Sequence, residues 1–206
     1  MQTYIKNRML QGYDLNLVAA VGISTLVLVL GRYRPLDIDF PRATQLIYYV
    51  LVPLAAGWLF FRDKPWDYGI RIGNRKWALI LIPACLAGMA LILYGASKMP
   101  EFRSYYHRYA MDWPELLLDT ALYMLAWEFL FRGYMLFGLE KSIGKNAIFV
   151  QAIPFVLLHF AKPFLETLAC IPGGFGFGYV AYKTRSFLPC FIIHFGMYIM
   201  MALFTN

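Results

Sequence analysis

The chain has 206 residues, of which 60% are hydrophobic and only 15% charged. A soluble domain carries about 45–50% apolar and about 25% charged residues, and a chain this short has too little interior to hide the excess. An ordinary soluble protein, a disordered chain and a disulfide scaffold are therefore excluded, and lipid is the main solvent.

In chain order, the runs long and apolar enough to span a bilayer, which takes about 20 residues, are 15–31, 43–61, 77–95, 115–138, 146–160, 164–182 and 187–204. The fifth is short, which suits a tilted, broken or re-entrant segment. The first starts after Lys6 and Arg8 and ends at Gly31-Arg32-Tyr33-Arg34 without a small-residue cleavage site, so it reads as a retained span rather than a signal peptide. The fold class predicted is all-α: a polytopic transmembrane helix bundle of about seven spanning helices, forming a single integral membrane domain over residues 1–206.

The net charge of +7 would point to nucleic acid in a soluble protein. Here the basic residues sit in short loops between apolar runs, where they orient the chain and meet anionic headgroups; no nucleic-acid partner is expected. Lys6, Arg8, Arg62, Lys64, Arg71, Arg75, Lys76, Lys141, Lys145, Lys183 and Arg185 fall on the N-terminal side. They outnumber Arg32, Arg34, Arg42, Lys98, Arg103, Arg108 and Lys162 on the other. This bias places the N-terminus in the cytoplasm of a cell whose plasma (inner) membrane holds the protein. Residues 65–76 and 100–113 mix aromatic and basic side chains, as segments at headgroup level do. Cys85, Cys170 and Cys190 lie in apolar runs without a CxxC spacing and read as buried, inert thiols.

Charges inside a span cost roughly 2.5–3.5 kcal/mol each on insertion scales and mark functional sites by default. The fourth run carries Glu128 and Arg132, four apart and so on one helix face as an ion pair. His159 ends the fifth run and His194 lies in the last. With a rise of about 1.5 Å per residue, Glu128 and His159 lie about 20 Å from the basic loops on the N-terminal side, and Arg132 and His194 about 14 Å. Three segments can thus bring all four into one interior cavity.

These residues resemble a known set. Glu128-Phe-Leu-Phe-Arg132-Gly133 is similar to the second half of EExxxR, Phe155-Val-Leu-Leu-His159 to FxxxH, and His194-Phe-Gly-Met-Tyr198 to HxxxN or HxxxD. In this order on separate segments they resemble the CAAX prenyl endopeptidase and bacteriocin-processing (CPBP, or Abi) intramembrane proteases, over residues 65–204. The resemblance implies a CAAX-protease-like bundle and an endopeptidase that cleaves near the membrane in a lipidated, leader-bearing or otherwise membrane-associated protein. It implies a glutamate-activated water, with Glu128, His159 and His194 as catalytic residues and no cofactor. Arg132 favours the ionised carboxylate, and the aromatic groups Trp127 and Phe155 flank the site.

Two positions depart from the pattern. Trp127 stands where the family has its first, water-activating glutamate, and Tyr198 where the family has an oxyanion-stabilising Asn or Asp. The Tyr198 hydroxyl is a candidate replacement donor. Glu166, in HFAKPFLET, is a candidate replacement carboxylate or else a partner of Lys162. Two further readings stay open. One is a zinc-dependent protease using Glu128, His159 and His194 as ligands, although HExxH is missing. The other is a catalytically impaired pseudoprotease that binds or assembles a partner in a membrane complex. The small-xxx-small pair Gly174 and Gly178 reads as a close helix contact.

Overall fold

A computed structural model describes residues 12–40, 42–107 and 113–205. Lys6, Arg8 and Arg108, used above for orientation, lie outside them. The described residues form helices and no strand, so the protein is an all-α membrane bundle. Five helices are long and apolar enough to cross a membrane: α1 (Leu15–Tyr33), α2 (Ala43–Phe61), α3 (Arg75–Ser97), α9 (Phe164–Thr184) and α10 (Leu188–Thr205). The helices between them are α4 (Pro100–Tyr106), α5 (Trp113–Glu128), α6 (Leu136–Ile143), α7 (Ala147–Val150) and α8 (Ala152–Leu157).

The helix starts and stops follow local chemistry. The Asp14 carboxylate caps α1 by accepting from the backbone N–H groups of Asn16 and Leu17, which satisfies two otherwise orphaned donors. Asn74 caps α3 through the N–H of Trp77. Pro53 removes one backbone donor within α2, and the π turn Ile47–Leu51 directly precedes it. Leu26, Val29, Leu79 and Leu91 are exposed, as lipid-facing residues of a bundle must be.

The fourth predicted run is a longer rod than expected. Helix α5 passes through a π segment, Phe129–Met135, into α6 without a break. Every residue of the π segment is buried, and α1, α2, α9 and α10 pack around it. The fifth run is not one span but two short helices, α7 and α8, parted at Gln151. The fully buried Gln151 amide donates to the carbonyls of Ile148 and Gly174, both at 2.9 Å, and so ties the broken segment to α9. Gly178 lies against the same amide: a Cβ there would come within 2.6 Å of Gln151 Nε2. The small-residue contact expected at Gly174 and Gly178 is therefore made to α7 and α8.

Residues 63–74 form a strap across the loop ends of these helices. The Tyr68 hydroxyl donates to Asp63 at 2.6 Å. The Asn74 N–H donates to the Thr184 carbonyl at 2.7 Å, and Ser186 Oγ donates to the carbonyls of Gly69 and Arg71. Gly73 closes the strap at φ +70, where a Cβ would fall on the Thr184 carbonyl oxygen. An L-residue in that region costs about 1–2 kcal/mol before any clash. Gly73→Ala should therefore lower stability by at least about 2 kcal/mol. Gly88, whose Cβ would meet nothing within 4 Å in mid-helix, should gain up to about 1 kcal/mol as Ala. Thermal unfolding of the two variants in detergent checks the contrast.

Candidate active site

The last turn of α5 and the π segment present Glu128 and Arg132 on one side of the rod. A π turn is wider than an α turn, and such bulges occur often at functional sites. Arg132 Nη1 donates to Glu128 Oε1 at 3.3 Å, with both side chains 0% exposed. His194, midway along α10, places Nδ1 2.6 Å from the same oxygen. One carboxylate oxygen thus joins three ionisable groups from two elements.

Aromatic rings close the site. The Arg132 guanidinium stacks over Phe155 at 3.9 Å and over Phe177 of α9 at 5.1 Å from the ring centroids. These cation–π contacts replace part of the lost hydration. Phe155 also touches both imidazoles, with ring centroids 4.5 Å from His159 and 6.2 Å from His194. It is therefore the shared wall of the site, in the FxxxH position read from the sequence. Glu128 Oε2 and Arg132 Nε and Nη2 are buried without a hydrogen-bond partner among the described residues, an unusual concentration of unspent polar capacity.

His159 was expected on a helix. It instead occupies the turn after α8, because Pro163 opens α9 and the chain must reverse before it. The His159 Nδ1–H donates to the Phe155 carbonyl at 2.7 Å, since a carbonyl only accepts. Thr167 Oγ1 donates to the His159 carbonyl at 2.7 Å and fixes the turn from the α9 side.

Trp127 fills the place of a second glutamate with an aromatic cluster. Its ring lies 5.0 Å from Phe131, 5.5 Å from Tyr123 and 6.2 Å from His159. Glu166 has partners of its own outside this group. Both oxygens of Glu166 accept from Tyr106 at 2.9 Å, and Lys162 donates to Oε1 at 2.7 Å. Glu166 is thus committed to a polar cluster joining α4 to the start of α9, the Lys162 pairing anticipated as the alternative. The Tyr198 ring packs against Tyr106 at 6.2 Å in that same region. Phe177, Gln151 and Thr167 were not singled out in the sequence. Only the neighbouring glycines of α9 hinted at a crowded face there.

Among the described residues, no group of three or more His, Cys, Asp and Glu side chains is arranged to hold a metal ion. Glu128 Oε1 is already taken by His194 and Arg132, and His159 Nδ1 by a carbonyl.

A buried carboxylate, two imidazoles and an arginine thus meet inside a polytopic helix bundle. Residues 109–200 match the family described as Rce1-like, type II CAAX prenyl endopeptidase Rce1-like. In this region the chain is similar to the CAAX-type intramembrane proteases. No curated protein and no solved structure matches it.

The shared oxygen makes Glu128 and Arg132 mutually dependent. Removing one partner of a buried pair costs about 3–5 kcal/mol, whereas replacing both by apolar groups of similar volume is often neutral. Arg132→Met should therefore destabilise by about that amount, and the Glu128→Leu/Arg132→Met double variant should recover most of it. Unfolding midpoints in detergent decide between these outcomes.

Proposed function

We propose that the protein is an intramembrane endopeptidase that hydrolyses a peptide bond in a lipidated, leader-bearing or otherwise membrane-associated protein, by a water whose activation depends on the Glu128 carboxylate. The observation that carries this reading is the 2.6 Å contact between Glu128 and His194, with Arg132 on the same oxygen. Amide hydrolysis needs a base for water and donors for the developing oxyanion. The site offers a carboxylate paired with Arg132 and two imidazoles sharing one aromatic wall. Low-dielectric surroundings strengthen each of these interactions. No covalent intermediate is required. The substrate class follows the family: a prenylated C-a-a-X terminus is the first candidate. The setting proposed is the plasma (inner) membrane, with the N-terminus in the cytoplasm.

A second reading is favoured by Trp127 and Tyr198. A chain that lacks the family's first glutamate and its Asn or Asp would serve as a non-catalytic subunit, binding a partner within a membrane complex. Full-length protein incubated with a farnesylated C-a-a-X peptide separates the two. As a protease, the wild type releases the terminal tripeptide, and Glu128→Gln, which keeps volume and an accepting oxygen but no charge, is inactive while still folded. Tyr198→Phe loses tenfold or more, about 1.4 kcal/mol, if that hydroxyl stabilises the oxyanion. A wild type without hydrolysis, whose cellular function survives Glu128→Gln and His194→Ala, supports the subunit.

A further inference from the structure

Resting on the protease reading, we propose that the group that takes the proton from water is His194 Nε2, and that Glu128 is its positioning residue rather than the base that touches water. A carboxylate can only accept hydrogen bonds, so the short contact to Glu128 Oε1 places a hydrogen on His194 Nδ1. A neutral imidazole protonated at Nδ1 carries its lone pair at Nε2. The imidazole is thus held in the tautomer of a base, as the carboxylate of a Ser-His-Asp triad holds its histidine.

Access separates the two partners. The Glu128 side chain is 0% exposed, whereas the His194 side chain is 14% exposed. Glu128 also spends its engaged oxygen on two internal donors, Arg132 and His194. Of the pair, the imidazole is the member with exposed surface.

His159 offers the competing imidazole. Its Nδ1–H also faces an acceptor, so its Nε2 carries a lone pair too. That acceptor is the neutral Phe155 carbonyl, and the ring beside it is Trp127. An imidazolium formed by proton transfer gains more from an ionised partner, because charge-assisted hydrogen bonds are roughly twice as strong as neutral ones. Of the two imidazoles, His194 is the one whose Nδ1 faces a carboxylate.

The step balances without a co-reactant. Water gives a proton to His194 Nε2 as its oxygen bonds to the scissile carbonyl carbon, and the carbonyl π pair moves onto its oxygen. When that pair returns, the carbon–nitrogen bond breaks and the His194 imidazolium protonates the leaving amine. Glu128 stays ionised throughout.

The test compares His194→Gln with His194→Ala in full-length protein, using initial rates on a fluorogenic farnesylated C-a-a-X peptide. A Gln amide can donate to an oxyanion but cannot act as a base. Both variants should lose about 10²–10⁴ in kcat, the usual worth of a general base, and lie within a few-fold of each other. Added imidazoles should restore His194→Ala in order of their basicity. Glu128→Asp, which keeps the charge near Arg132 but withdraws it from His194, should lower kcat at least tenfold with little change in KM. A His194→Gln variant within tenfold of wild type, beside an inactive His194→Ala, makes His194 an oxyanion donor and overturns the assignment while leaving the protease intact. A wild type that cleaves neither this peptide nor a leader-bearing one overturns the protease reading itself.

Discussion

The constraint from which the site follows is the burial of one carboxylate. Glu128 is wholly enclosed by protein, and an uncompensated charge there is expensive. Arg132 and His194 supply the compensation on a single oxygen. Arg132 then needs its own surroundings, and two rings from different segments, Phe155 and Phe177, provide them. The consequences run outward. The π segment carries Arg132, α10 is held to the rod through His194, and α8 and α9 are held through the rings over the guanidinium. Buried charge gives little net stability in such an arrangement; what it gives is a fixed geometry.

The two imidazoles occupy unlike halves of the site. Around His194 the neighbours are the Glu128 carboxylate, Arg132 through it, and the rings of Phe155 and Phe177. Around His159 they are aromatic: Trp127 and Phe155. A carboxylate at position 127 would have to displace Trp127 from among Tyr49, Tyr123, Phe131 and Phe155, rings that form one packed cluster. The departure from the family pattern is thus built into the core packing.

Much of this was legible in the sequence, because membrane burial makes polar residues conspicuous. Glu128, Arg132, His159 and His194 stood out as ionisable groups in apolar runs, and helix rise alone put them in one band. The four-residue spacing foretold the ion pair. The π segment was not legible, since it has no compositional mark; nothing in Phe129–Met135 differs from an ordinary apolar helix. Nor was the break at Gln151, which depends on its contact with Gly174, far along the chain. Glu166 could be read either way from its neighbours. The fold decides it through Tyr106, sixty residues earlier, which the sequence gives no reason to pair with it.

The account turns on the hydrogen bond between Glu128 and His194. It is tested most directly by nitrogen NMR of the full-length protein labelled with ¹⁵N at histidine, compared with the same spectrum of Glu128→Gln. The account predicts a His194 signal with its proton on Nδ1, strongly perturbed by the substitution, while the Nδ1-protonated signal of His159 stays in place. A His194 spectrum that does not respond to Glu128→Gln would contradict it.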